Sequence, residues 1–156
     1  MSANVSQSYL RNTILTASAE QLHLMLLDGA IRFAAQAQEA LKAKNYEGMF
    51  NALDRAQRVL LELSSGLNRE NNPSLVDQFR ALYQFVYRRL VDANMNRDPA
   101  AIADGLQILR HQRETWQILM DKVREELAKS PAHRTPASPQ QSVCAGNGLS
   151  GFVAEG

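Results

Sequence analysis

The sequence predicts an all-α fold, an antiparallel up-down four-helix bundle, and three observations lead to this prediction. Four stretches carry apolar residues at the spacing of one helix face, and each stretch begins with a helix-start signal. Short polar segments separate the stretches, which favours antiparallel neighbours. No segment alternates apolar and polar residues as a half-buried strand does. The 156 residues suffice for one domain with a substantial core.

The first predicted helix begins near Ala19, because Ser18 and Gln21 have the spacing of a capping box. At about 100° per residue, its apolar residues form two stripes on roughly opposite sides. One stripe can face a core, so we expect the other to face a second packing partner. The first stripe contains Leu22, Leu26, Gly29, Phe33, Ala37 and Ala40, and the second contains Leu24, Leu27, Ile31 and Ala35.

The other three predicted helices each have a cap residue and one inward stripe. Their start signals are Asn45, Asn72 followed by Pro73, and Asp98 followed by Pro99. The stripe of the second helix is Met49, Leu53, Ala56, Leu60, Leu63 and Leu67, and that of the third is Leu75, Phe79, Leu82, Val86, Leu90 and Ala93. The stripe of the fourth is Ile102, Leu106, Leu109, Trp116, Met120, Val123 and Leu127.

The chain is expected to have three parts: an N-terminal capping segment or short helix over residues 1–17, the bundle over residues 18–129, and a flexible tail over residues 130–156. The tail is rich in Pro and Gly and loses helical periodicity, so we expect it to be disordered. The single cysteine, Cys144, excludes an intramolecular disulfide and fits a reducing compartment. We find no secretion signal in the first residues and no apolar run long enough to span a bilayer, so a cytoplasmic location is expected.

We identify no catalytic residues, metal ligands or cofactor site in the sequence, and therefore expect no enzyme. Glu20 and His23 have a Glu-x-x-His spacing, but a di-iron bundle needs a second copy and further inward carboxylates. We interpret them as an exposed acid in the first turn beside an ordinary histidine. The net charge is +1 and arginines alternate with acids along the helices, which argues against nucleic-acid binding.

The predicted helices carry more apolar residues than one core needs. The additional ones are Phe50, Leu61, Tyr83, Tyr87, Val91, Ile108, Ile118 and Leu119. Two readings remain open on periodicity alone. These residues either thicken the core or form a groove for another amphipathic helix.

Several short motifs, in this order and spacing, resemble the flagellar export chaperone FliS family over roughly residues 5 to 127. They are Tyr9, Ile14-x-Thr16-Ala17-Ser18, Leu22, Met25-Leu26-x-Asp28-Gly29-Ala30-Ile31, Arg55-Ala56-Gln57, Leu60-x-Glu62-Leu63, Leu82-Tyr83, Leu90-x-x-Ala93-Asn94 and Arg113-x-x-Trp116. The chain departs from the family pattern at Ala19, where proline is common, and at Leu27, where an aromatic residue is frequent. The tail exceeds that pattern.

The resemblance implies a cytoplasmic export chaperone without turnover or cofactor. Such a chaperone binds the C-terminal helical region of flagellin, prevents its premature polymerisation and aids its delivery to the flagellar type III export apparatus. Further candidate partners are the export gate and a flagellar regulatory protein. The alternative is a helical adaptor or homodimerisation module whose second face pairs with a copy of itself.

The second stripe of the first helix gives a hypothesis for the partner-binding residues. Leu24, Leu27 and Ile31 form a groove with Tyr83 and Tyr87, and the segment that contains Tyr9 and Ile14 folds over apolar surface when cargo is absent. Asp28 and Gly29 have a structural explanation, because Asp can bond a nearby arginine and Gly lets a helix approach closely. Trp116 is expected in the core, since it lies on the main stripe of its helix.

Overall fold

The computed structural model describes residues 4–8, 18–70 and 72–129, and every regular element within them is a helix. Helix α1 covers residues 4–8. Four long helices follow: α2 (Ala19–Lys42), α3 (Tyr46–Ser65), α4 (Pro73–Asn96) and α5 (Pro99–Lys129). The all-α prediction and the four long helices are confirmed.

Each long helix begins at the cap that the sequence predicted. Ser18 and Gln21 form the reciprocal capping box, with both hydrogen bonds at 3.2 Å. The side chain of Asn45 accepts from the Gly48 amide at 3.0 Å. The later caps are equivalent: Asn72 accepts from the amide of Leu75 at 3.2 Å, and Asp98 accepts from the amide of Ala100 at 2.9 Å. These short-range bonds satisfy backbone N–H groups that a helix start leaves without partners.

Contacts between side chains show that α3 and α4 run antiparallel. The guanidinium of Arg97, after α4, lies 3.8 Å from the ring centroid of Tyr46, at the start of α3. At the opposite end of the same pair, Arg69 reaches Asp77 at 2.9 Å. Short connections make this possible, and Lys44 and Arg97 adopt positive φ angles of 58° and 51° in them.

The core lies along the middle of the four long helices. It contains five of the six residues predicted for the stripe of α3, four of six for α4, and the first three for α5. The buried members of these three stripes are Met49, Leu53, Ala56, Leu60, Leu63, Phe79, Val86, Leu90, Ala93, Ile102, Leu106 and Leu109. Burial of this apolar surface is the main favourable term in the folding of the bundle.

The predicted division of α2 into a core stripe and an opposite stripe is wrong. The buried line of α2 runs between the centres of the two stripes and includes members of each. It consists of His23, Leu27, Gly29, Ala30, Ala34 and Ala37. Most members of both stripes are half-buried flanks of this line. The apolar arc of α2 spans more than half of the helix circumference, and its middle faces the core. The second packing partner expected for α2 is therefore another helix of the same bundle.

Two further stripe assignments are corrected. On α4, Tyr83 is buried and its neighbour Leu82 is only half-buried. On α5, Val123 and Leu127 are 55% and 45% exposed, although their spacing continues the buried stripe. Helical spacing identifies residues on one face of a helix, but a residue on that face is buried only where other side chains pack against it.

By its internal contacts the chain divides into two units, Met1–Met120 and Asp121–Gly156. In the second unit, residues 121–129 are helical and exposed. The predicted boundary after residue 17 and the predicted disordered tail involve residues outside the described ranges and stay predictions. None of the helices in the described ranges has the length and hydropathy that a bilayer crossing requires.

Candidate functional site

A buried polar network connects α2, α4 and α5. The Nε2 atom of His23 lies 2.7 Å from the hydroxyl of Tyr83, and Nε2 of Gln112 donates to the same hydroxyl at 3.3 Å. The Tyr83 hydroxyl accepts from Gln112, and the direction of its hydrogen bond with His23 is set by the tautomer of the imidazole ring. The buried site holds this imidazole as a neutral ring, because desolvation lowers the pKa of His23 to about 4 and raises the pKa of Tyr83 to about 12.

Trp116 covers this network from α5. Its ring stacks on His23 with centroids 4.0 Å apart, and its indole N–H donates to the carbonyl of Glu20 at 3.0 Å. The expected packing of Trp116 against the core is confirmed, although the side chain is half-buried. The histidine beside the exposed Glu20 is a core residue, since His23 is 6% exposed and hydrogen-bonded. Its position one turn before Leu27, on the buried line of α2, is the sequence signal for this burial.

Asp28 and Gly29 differ in how well their structural explanation holds. Asp28 accepts from Nε of Arg113 at 2.5 Å, and this bond raises the pKa of Arg113, so the predicted Asp–Arg contact is confirmed. A methyl group at Gly29 would meet no atom within 4 Å, so a close helix approach there is wrong. The close approach occurs at Gly105, where a Cβ would lie 3.2 Å from Cδ2 of Leu90.

The structure separates the predicted partner-binding residues into three groups. Leu27 and Tyr83 are 0% exposed and belong to the core, so in this structure they present no surface to a partner. Leu24, Ile31 and Tyr87 are half-buried and keep accessible surface. Tyr9 and Ile14 lie outside the described residues. The partner-binding role of the accessible residues stays a prediction.

A cleft of about 390 Å³ lies between α2 and α5, and we call it the α2–α5 cleft. It is lined by Gln38 of α2 and by Ala103, Leu106, Gln107, Arg110, His111 and Glu114 of α5. Leu24, Ile31 and Gln38 are seven residues apart in turn, so they lie along nearly one line of α2. Two of the predicted residues, Leu24 and Ile31, therefore lie on the same line of α2 as Gln38, which lines the cleft.

Sequence reasoning missed the lining of this cleft. Its α5 residues are mainly polar and look like a solvated helix face, and only the position of α2 turns that face into a cleft wall. Among the described residues, no group of three His, Cys, Asp or Glu side chains could hold a metal ion. The candidate site is therefore a surface of mixed polarity, made of the mainly polar cleft lining on α5 and the half-buried apolar residues of α2.

Comparison with known proteins identifies a consistent set of similar proteins. The family model described as "Flagellar protein FliS" matches residues 1–123. The "Flagellar secretion chaperone FliS" of Bacillus subtilis (strain 168) is 31% identical over 123 residues, which cover 79% of this chain and 91% of that protein. The protein of the same name in Escherichia coli (strain K12) is 26% identical over 113 residues, which cover 72% of this chain and 83% of that protein.

A solved structure supports the fold independently. It is described as "Crystal structure of flagellar chaperone from bacteria" and superimposes with a TM-score of 0.63 at 18% sequence identity. The match covers 78% of this chain and 99% of the solved chain. At this identity the match supports the helical fold alone.

Proposed function

Because this chain belongs to the FliS family of flagellar secretion chaperones, we propose that it binds the C-terminal helical region of flagellin in the cytoplasm. The family is one of chaperones and not of enzymes, so its function is to hold a flagellar substrate for export. The remaining question is which substrate region it holds and on which surface.

In the proposed mechanism, the chaperone covers a surface of flagellin through which flagellin subunits bind one another. A chaperone that covers an amphipathic segment of flagellin prevents that segment from pairing with other subunits before export. If the segment folds on binding, its ordering costs free energy, and this keeps the complex weak enough for release. The complex would then deliver flagellin to the type III export apparatus, with the export gate and a regulatory protein as further partners.

The observation that carries this proposal is the accessible apolar line on α2. Leu24 and Ile31 are half-buried, and the line they form continues to Gln38 in the α2–α5 cleft. An amphipathic helix is recognised by apolar contacts at such helical spacing. Leu27 of the same helix is fully buried and packs α2 against the core. Tyr87 adds accessible apolar surface on α4.

The proposal is tested by titrating the full chain with a synthetic peptide of flagellin's C-terminal helices. Calorimetry should show saturable one-to-one binding with a negative heat-capacity change, and circular dichroism should show a gain in helix. Ile31→Asp should weaken binding by about tenfold or more, because it places a charge against the apolar face of the peptide. Met95→Asp is the matched control, since Met95 is exposed on α4 away from this line.

Thermal and urea unfolding of each variant separates binding from stability. If folded Ile31→Asp binds as well as the parent chain, the α2 line is not the cargo surface. If Ile31→Asp fails to fold, Ile31→Ala provides the same comparison with less disturbance. Leu27→Asp does not test binding, because it would bury a charge in the core and unfold the bundle.

The alternative of a homodimerisation module has a separate readout. Phe50 and Leu61 are exposed apolar residues near one face of α3, and a second copy could cover them. Sedimentation velocity of the chain alone and with peptide distinguishes the two functions. A dimer that saturating peptide does not dissociate, together with no peptide binding, would favour this alternative.

A further inference from the structure

Two arginines from different helices surround one aromatic ring on the surface of the bundle. The guanidinium carbon of Arg32, on α2, lies 5.1 Å from the ring centroid of Phe33. That of Arg55, on α3, lies 5.8 Å from the same centroid. Both arginines are exposed, whereas Phe33 is half-buried and packs against the core. The ring therefore holds two accessible positive charges at a fixed place on the α2–α3 surface.

Neither arginine has a carboxylate partner among the described residues. Asp28, one turn before Arg32, forms its ion pair with Arg113 instead. Asp54, adjacent to Arg55, pairs with Arg58. The acids nearest in sequence are thus paired with other arginines, and both guanidinium groups lie within about 6 Å of the Phe33 centroid without an ion pair among the described residues.

We propose that Arg32, Phe33 and Arg55 form a docking point for acidic side chains of the cargo polypeptide, an inference that rests on the proposed function. Cation–π contact with Phe33 restricts the guanidinium groups before binding. It leaves N–H donors free, and the planar guanidinium fork matches the two oxygens of a carboxylate.

The charge pattern around the site favours a protein ligand over nucleic acid or lipid. Asp28, Asp54 and Glu62 lie on the same two helices, so the surrounding surface carries both signs. Nucleic-acid and anionic-lipid surfaces are bound by wider basic patches that contact many phosphates. A pair of arginines beside an aromatic ring instead fits one or two carboxylates, with apolar contact to the ring between them.

The test uses the full chain and the flagellin peptide described above. Arg32→Gln/Arg55→Gln should weaken binding about fivefold to twentyfold at low salt, because two charge-assisted contacts are lost. The difference from the parent chain should shrink at about 0.5 M salt, where exposed charges are screened. Arg80→Gln/Arg88→Gln is the matched control, since it removes two positive charges from α4 that have no ion pair among the described residues. It should change binding less than about twofold.

A second arm identifies the cargo side of the contact. A peptide with its Asp and Glu residues changed to Asn and Gln should bind the parent chain more weakly than the original peptide does. The affinity of this neutral peptide for Arg32→Gln/Arg55→Gln should be close to its affinity for the parent chain. The inference is overturned if the double variant binds the acidic peptide as the parent does, or if the α4 control weakens binding equally. It is also overturned if the double variant binds the peptide as the parent chain does but no longer co-sediments with phosphatidylglycerol vesicles. That result would assign the site to lipid.

The failure of this inference and the failure of the proposed function are distinguishable. If the parent chain binds the peptide and the double variant binds equally well, the proposed function stands and only the docking point is wrong. If the folded parent chain does not bind the peptide, the proposed function fails, and the docking point fails with it.

Discussion

His23 shows how a single buried residue can connect the helices of this bundle. It shares a hydrogen bond with Tyr83 of α4 and stacks on Trp116 of α5. Every buried side-chain polar atom among the described residues has a hydrogen-bond partner. A satisfied polar network favours one arrangement of helices over shifted alternatives, because a shifted helix would leave buried polar groups unpaired.

This network predicts a pH dependence of stability. The pKa of His23 is lowered by burial to about 4 in the folded chain, against 6.5 for an exposed histidine. The unfolded chain therefore takes up a proton first as the pH falls, so the free energy of unfolding should decrease between about pH 6.5 and pH 4. The loss of unfolding free energy from this group should be at most about 3 to 4 kcal/mol. Urea unfolding across this range measures it.

Two variants isolate the contribution of His23. His23→Gln keeps hydrogen-bonding capacity and should remove that part of the pH dependence. His111→Gln, at an exposed position on α5, should leave it intact. Trp116 is the only tryptophan of the chain and provides a fluorescence readout at the stacked ring. An unchanged pH profile in His23→Gln would contradict the assigned neutral ring.

At the scale of the helices, two glycines predict opposite behaviour on substitution. Gly29→Ala should raise the free energy of unfolding by about 0.5–1 kcal/mol, because alanine favours a helix and a Cβ there meets nothing within 4 Å. Gly105→Ala should raise the free energy of unfolding by less than Gly29→Ala does, or lower it, because the new Cβ would lie 3.2 Å from Leu90. Urea unfolding followed by circular dichroism compares them. Equal stabilisation by both would contradict the packing described for α4 and α5.

The helices differ in how far the sequence could predict them. The starts at Ser18, Asn45 and Asn72 follow from bonds between residues three apart, so local sequence contains the necessary information. The buried line of α2 does not, because its apolar arc is so wide that several orientations satisfy the periodicity. Val123 also follows the correct spacing and is still exposed, since spacing alone does not decide whether a residue is buried.

At the scale of the whole molecule, the candidate site was less predictable than the fold. The apolar character of Leu24 and Ile31 predicts a binding role for both, and the structure leaves both half-buried on the line of α2 that continues to Gln38. Leu27 has the same apolar character, but tertiary packing places it in the core. The contact of Arg55 with Phe33 joins two helices, so neither segment alone predicts it. Sites built from several helices depend on how those helices pack.

We propose that this chain holds flagellin in a form that cannot polymerise, and seeded filament growth is the experiment that tests this proposal. Purified flagellin monomers are mixed with filament seeds and increasing amounts of the full chain, and elongation is followed by light scattering. We expect elongation to fall in proportion to the chaperone added and to stop near one chain per flagellin. Elongation at the unchanged rate with a folded, equimolar chain present would contradict it.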